Sequence, residues 1–134
     1  LAHRAQHDVL TDLPNRALLA ERANNAIVLA RRHGRMVALL YVDLDGFKCI
    51  NDTYGHWVGD QLLVSTAQRM VDGVRASDTV SRQGGDEFVI LLSEVDCVED
   101  AVGSARKLLA NLAPAHRLGR RHLSSSASIG ISVY

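Results

Sequence analysis

Thr79-Val80-Ser81-Arg82-Gln83-Gly84-Gly85-Asp86-Glu87-Phe88-Val89-Ile90-Leu91-Leu92 is the stretch that decides the fold. The run before the glycines alternates, the run after them is continuously apolar, and a Gly-Gly pair is a favoured two-residue turn because both positions accept positive φ. The stretch therefore predicts a β-hairpin with Gly84-Gly85 at its turn and Asp86 and Glu87 at its tip. A second acidic pair, Asp43 and Asp45, follows the apolar run Met36 to Val42, whose β-branched content and length fit a strand buried on both faces. If the two strands are neighbours, three or four carboxylates converge at one end of a sheet. Such a cluster is tolerable mainly when a divalent cation neutralises it.

Outward from the hairpin, the pattern changes to helical spacing. Asp12-Leu13-Pro14-Asn15-Arg16 reads as a turn feeding a helix over about Arg16 to His33, with Leu18, Leu19, Ala23, Ala26, Ile27 and Ala30 on one face and Gly34 as its stop. The glycine- and Asx-rich stretch from Phe47 to Asp60 reads as a functional loop or a short helix. A second long helix is expected over about Gln61 to Val74 and a third over about Val98 to Leu112, acidic at its start and broken by Pro114. His122 to Tyr134 alternates as a half-buried strand does. This order favours an α/β sandwich, a mixed central sheet with surrounding helices.

The chain has 134 residues and is 47% hydrophobic, enough for one domain with a real core and short for two. Lysine plus arginine number 15 and aspartate plus glutamate 15, so no overall field attracts a nucleic acid polymer or an anionic membrane, and any phosphate binding has to be local. Cys49 and Cys97 are isolated, without ligand spacing, and are expected to be reduced, partly buried thiols in a cytoplasmic setting. No apolar stretch approaches the roughly 20 residues that a membrane span needs.

Oxygen-only ligands suit a hard cation such as Mg²⁺ or Mn²⁺, and Mg²⁺ commonly shares its shell with substrate phosphates. No GxxxxGK[ST] loop is present, so phosphates would not be held as a P-loop holds them. Lys48 and Arg82 place positive charge beside the same acids. The combination points to nucleotidyl transfer, with a carboxylate activating a hydroxyl that attacks an α-phosphate. His56 reads as a turn-structuring residue, and Trp57 as either packing or a lid on a base.

Gly84-Gly85-Asp86-Glu87-Phe88 resembles the signature of GGDEF domains, the bacterial diguanylate cyclases. Four further stretches agree: Asp8 to Arg16, Asp43-Leu44-Asp45-Gly46-Phe47-Lys48, Asn51-Asp52 with Gly55-His56 and Gly59-Asp60, and Ser128-Ile129-Gly130-Ile131. The resemblance implies a palm-like, ferredoxin-like nucleotidyl-cyclase topology spanning residues 1–134 as a single GGDEF domain that lacks the family's usual last helix and strand. It implies condensation of two GTP into cyclic di-GMP across a homodimer, with each domain supplying one GTP. Asp43, Asp86 and the carbonyl of Leu44 would bind Mg²⁺ or Mn²⁺, with Glu87 an additional ligand and Asp86 the base for the 3′-hydroxyl. Asn51 and Asp60 would bind the guanine edge, Lys48 and Arg82 would steady phosphate charge, and Gly84 and Gly85 would let the backbone approach the triphosphate. Arg75 and Asp78 resemble the RxxD site at which product cyclic di-GMP inhibits. The resemblance further implies attached sensor domains and an EAL domain in the parent protein. The alternative is a catalytically weak GTP- or cyclic-di-GMP-binding regulatory module attached to an EAL phosphodiesterase.

Overall fold

A computed structural model describes residues 5–134. Helix α1 spans Arg16–His33. Its cap explains its start: the Asn15 side chain accepts a hydrogen bond from the Leu18 backbone N–H at 3.1 Å, which satisfies one of the free donors of the first turn. Gly34 ends it with a left-handed backbone, φ 67°, a conformation in which a Cβ is penalised. Strand β1 follows over Met36–Leu44, then α2 over Phe47–Tyr54 and α3 over His56–Asp72. The expected long second helix thus begins five residues early, and the Gly55 backbone separates it from α2.

Strands β2 (Thr79–Gly84) and β3 (Glu87–Val95) form the predicted hairpin, α4 runs over Val98–Leu112, and β6 (Ala127–Val133) closes the described chain. The sheet order is β2-β3-β1-β6. Every ladder is antiparallel. A mixed sheet was expected, and the topology shows why none of its neighbours is parallel: each crossover skips one position, so β1 and β2 run the same way with β3 between them, and β3 and β6 likewise with β1 between them. This is the ferredoxin-like arrangement.

Both faces of the sheet are covered. Leu40, Val42, Phe88 and Ile90 pack on one side against Leu63 and Met70 of α3 and Leu108 of α4. Val37, Val89 and Leu91 pack on the other against Leu19, Ala26 and Ala30 of α1. The continuous apolar run of β3 is explained by this double burial.

Two elements escaped the sequence. A small hairpin of β4 (His116–Leu118) and β5 (Arg121–Leu123) packs Leu118 and Leu123 against Val58 and Leu62 of α3. The final alternating run therefore divides, with residues 124–126 outside any strand. Strands of three residues carry too short a period to be read by alternation. Among the described residues no helix is long and apolar enough to cross a membrane.

Candidate active site

The hairpin turn is offset by one residue from the expected Gly84-Gly85. Gly84 pairs with Glu87, and the ladder is irregular between Arg82 and Gly84, so Gly85 and Asp86 are the two loop residues. Gly84 and Gly85 carry φ of 143° and 51°, values that L side chains resist, and a Cβ on either would meet nothing within 4 Å. Backbone conformation, together with open space for an approaching ligand, accounts for the two glycines.

Register then assembles the acids. Asp43 on β1 faces Glu87 on β3, and the Leu44 N–H donates to the Asp86 carbonyl at 3.3 Å. Local desolvation, followed by the charge of Asp86 and a hydrogen bond to its carboxyl, raises the pKa of the exposed Asp43 above the ordinary carboxylate range, with Asp45 adding a smaller repulsion. Asp43 and Asp86 therefore lie near enough that each opposes the ionisation of the other. Asp45 turns away: its carboxylate accepts from the hydroxyls of Ser126 at 2.8 Å and Ser128 at 2.7 Å, and these bonds lower its pKa. The expected convergence of three or four carboxylates reduces to a pair, and among the described residues no three His, Cys, Asp or Glu side chains gather around one point. A repelling pair of acceptor-only groups, with the rest of the shell open, fits a hard divalent ion that completes its coordination with phosphate oxygens and water. A cleft of about 360 Å³ opens beside the pair, lined by Arg16, Tyr41, Asp43, Gln83, Glu87 and Val89.

The other expected residues are placed as follows. Lys48 is exposed in the first turn of α2. Asn51 lies one turn further, and its Oδ1 is buried without a hydrogen-bond partner. Gly59 of α3 faces it, leaving room that a side chain would occupy. Asp60, the next residue, is exposed. A buried amide oxygen without a donor is a costly group in a folded protein, and beside an exposed carboxylate it is suited to reading a polar ring edge. Trp57 is 64% exposed, which removes the packing role considered for it. Cys49 is exposed rather than partly buried.

Arg82 does not extend freely beside the acids. Its guanidinium donates to both carboxylate oxygens of Asp8, at 3.0 and 3.1 Å, and to the Gly85 carbonyl from Nε and Nη2, at 3.0 and 2.8 Å. Asp8, which carries no role in the sequence reading, is the partner that draws Arg82 aside, and the Asp8 to Thr11 spacing is that of a side-chain-closed turn.

At the far end of β2, Asp78 accepts from Arg75 at the backbone N, Nε and Nη2, at 3.0, 3.1 and 3.0 Å, and from the Ser93 N–H at 3.2 Å. The Asp78 side chain is 2% exposed and that of Arg75 56%. Asp78 thus aims a guanidinium outward, and hydrogen bonding to Asp78 raises the Arg75 pKa. A cleft of about 450 Å³ borders it, with Arg35, Glu94, Asp96 and Lys107 in its wall.

The family model for "Diguanylate cyclase, GGDEF domain" matches residues 5–134. The chain is 48% identical over 134 residues to the bifunctional diguanylate cyclase/cyclic di-GMP phosphodiesterase MucR of Pseudomonas aeruginosa, covering all of this chain and 19% of that protein. It is 43% identical over 135 residues to the diguanylate cyclase TpbB of the same species, covering 31% of it. The chain thus spans less than a third of the length of these curated relatives. Among solved structures, the isolated GGDEF domain of TpbB matches with a TM-score of 0.92 at 42% identity, over 96% of this chain and 75% of that one. A sensory box/GGDEF family protein from Caulobacter crescentus matches with a TM-score of 0.88 at 37% identity, over 96% of this chain and 83% of that one. Sequence motifs, strand order and the acidic turn agree, and the chain belongs to the GGDEF domain family.

Proposed function

We propose that this domain is a diguanylate cyclase, which condenses two GTP into cyclic di-GMP and releases two pyrophosphates. The observation that carries the reading is the backbone bond from Leu44 to Asp86, which brings the strand end that bears Asp43 beside the Asp86 turn, where each carboxyl opposes the other's ionisation. Asp43, Asp86 and the Leu44 carbonyl would hold Mg²⁺ or Mn²⁺, with Glu87 a further ligand. Bound there, the ion would supply charge neutralisation and polarisation at the phosphate.

The protein's own groups do the rest. Asn51 and Asp60 orient guanine, Asn51 offering both an acceptor and donors and Asp60 accepting from the N1–H and N2 amine. The exposed backbone of Gly84 and Gly85 lies against the triphosphate. Lys48 brings a cation to the phosphates, where it stabilises charge that grows as pyrophosphate leaves. Asp86 takes the proton of the attacking 3′-hydroxyl. One domain presents one GTP, so turnover requires a homodimer with two such sites facing each other, which supplies the positioning that a bimolecular step otherwise lacks. In the cytoplasmic parent, sensor domains would control this pairing.

The test is product formation. The full-length parent incubated with GTP and Mg²⁺ is expected to yield cyclic di-GMP and two pyrophosphates per product, and Asp86→Ala to abolish this with the melting temperature retained. Undiminished synthesis by that variant would overturn the assignment. A GTP- or cyclic-di-GMP-binding regulatory module attached to an EAL phosphodiesterase remains the second reading. It is favoured by the composite relative MucR and by the separation of Arg75 and Asp78 from the acids, the length of β2 or about 20 Å. It would be supported by binding without turnover in a protein whose phosphodiesterase responds to GTP.

A further inference from the structure

Segment 6–15 closes on itself and then grips the catalytic hairpin. The Asp8 N–H donates to the Leu13 carbonyl at 2.7 Å, Asp12 N–H to the Asp8 carbonyl at 2.9 Å, and Asn15 N–H to the Gln6 carbonyl at 2.8 Å. The Asp8 carboxylate closes the turn by accepting from the Thr11 N–H at 2.9 Å and its hydroxyl at 2.8 Å. Inside the turn, Asp12 holds φ 60°, a left-handed backbone that a non-glycine residue keeps only when its surroundings enforce it. Burial alone would raise the Asp8 pKa, yet the hydrogen bonds from Thr11 and Arg82 outweigh it and hold the carboxyl below its ordinary range.

Arg82 connects this segment to the turn. Its side chain is 14% exposed and that of Asp8 19%, so the pair is shielded from water and its geometry is better defined than that of a surface ion pair. The Arg82 N–H also donates to the Pro14 carbonyl at 3.1 Å. The opposite edge of the guanidinium holds the Gly85 carbonyl through two N–H groups. That carbonyl belongs to the planar peptide joining Gly85 to Asp86, so fixing it restricts the φ of Asp86 and the ψ of Gly85, the residue with the most freedom to lose.

We propose that Arg82 is a positioning residue: ion-paired to Asp8, it locks the Gly85–Asp86 peptide plane and so transmits the placement of segment 6–15 to the Asp43–Asp86 carboxyl pair. Its catalytic consequence rests on the cyclase reading above. Displacement of the segment withdraws the Asp8 carboxylate, frees the fork from the Gly85 carbonyl, and allows the peptide to rotate. A shift of about 1 Å in a reacting group is enough to lower a rate by about a hundredfold.

The experiment uses the full-length protein with Asp8→Asn, Arg82→Ala, Arg82→Lys and the reversed pair Asp8→Arg/Arg82→Asp, and it has three readouts. Amide hydrogen exchange of residues 84–87 is expected to quicken about tenfold in Asp8→Asn and Arg82→Ala while the amides of β1 hold their rates. In the same variants kcat for GTP is expected to fall by about tenfold or more with KM within about twofold, because orientation rather than binding is lost. Arg82→Lys keeps the charge but not the fork and is expected to recover thermal stability better than kcat. The reversed pair restores opposite charges but is expected to recover neither kcat nor the full melting temperature, since a carboxylate at position 82 cannot donate to the Gly85 carbonyl and an arginine at position 8 cannot accept from Thr11. Unchanged exchange at the turn in Asp8→Asn overturns the proposal, as does recovery of kcat by the reversed pair. A rise in KM matching the fall in kcat also overturns it, in favour of direct phosphate contact by Arg82. If the wild-type protein makes no cyclic di-GMP, the cyclase reading falls, and the exchange rates alone decide whether the link exists.

Discussion

A methyl group on Gly59 would stand 1.7 Å from the Asn51 Oδ1 and 2.8 Å from its Cγ. The two residues sit on different helices, α2 and α3, and the closeness of those helices at this point depends on the missing side chain. Gly59→Ala is therefore expected to push the Asn51 amide aside while the fold persists, since the far end of one side chain can yield. Affinity for a non-hydrolysable GTP analogue, measured by calorimetry, should weaken by about tenfold or more, the order expected when a buried polar contact to a ligand is lost. Unaltered affinity would show that Asn51 does not read the base.

Asp43→Asn removes one of two repelling carboxyls. Local desolvation and Asp86 raise the Asp43 pKa, so its ionised form is disfavoured in the fold and weakens stability as pH rises above the ordinary carboxylate value. The variant should melt higher without metal, yet lose Mg²⁺-dependent turnover, a trade between stability and activity. Differential scanning calorimetry at neutral pH without Mg²⁺ tests the first, and a cyclic di-GMP assay with Mg²⁺ tests the second. A lower melting point would contradict the mutual repulsion of the two acids.

Asp78→Ala should free the Arg75 guanidinium from its buried anchor and orphan the Ser93 N–H. The cost in stability is about 1 to 3 kcal/mol by urea titration, the penalty of an unmade buried hydrogen bond. Arg75→Ala exposes a smaller loss, because that side chain is more than half in solvent. If the pair is the product site, both variants should raise the cyclic di-GMP concentration for half-inhibition by about tenfold, with the uninhibited rate intact.

His116 supplies a pH dependence unconnected with the acids. It is 1% exposed, its Nδ1 lies 2.7 Å from the Ser65 hydroxyl, and its Nε2 lies 3.4 Å from Nη1 of Arg69. The facing cation requires a lone pair on Nε2, so Nδ1–H donates to Ser65. Burial, then the charge of Arg69, lowers its pKa from 6.5 to about 4. With the folded pKa below the unfolded one, the unfolded chain takes up the proton first on acidification. Stability present at pH 7 is lost as pH falls from about 6.5 to about 4, by about 3 kcal/mol. Urea titrations at pH 7, 5.5 and 4.5 should show this decline, and His116→Gln should flatten it. The first structure lost should be the β4–β5 hairpin, which His116 anchors.

Long elements were legible because their patterns repeat. The limits of α1 and α4 match the expected Arg16 to His33 and Val98 to Leu112, where the Asn15 and Gly34 caps of α1, the acidic first turn of α4 and three-to-four spacing agree. The β4–β5 hairpin and the offset turn were not legible. Three-residue strands hold no full period, and the bulge between Arg82 and Gly84 arises from the pairing of two strands rather than from either one. The burial of Asp78, the exposure of Trp57 and the orphaned Asn51 oxygen likewise depend on neighbours distant in sequence.

By itself the amino-acid order determined the succession of the long helices and strands, the family, and the residue types available for phosphate and metal chemistry, because these follow from local periodicity and short motifs. Tertiary structure decided which of those side chains are free to act. It paired Asp43 with Asp86, gave Asp45 to two serines, and turned Arg82 from the open site onto Asp8 and Gly85. The physical reason is that charge and hydrogen-bonding capacity are intrinsic to a residue, whereas the partner that consumes them is chosen by strand register and packing between segments far apart along the chain.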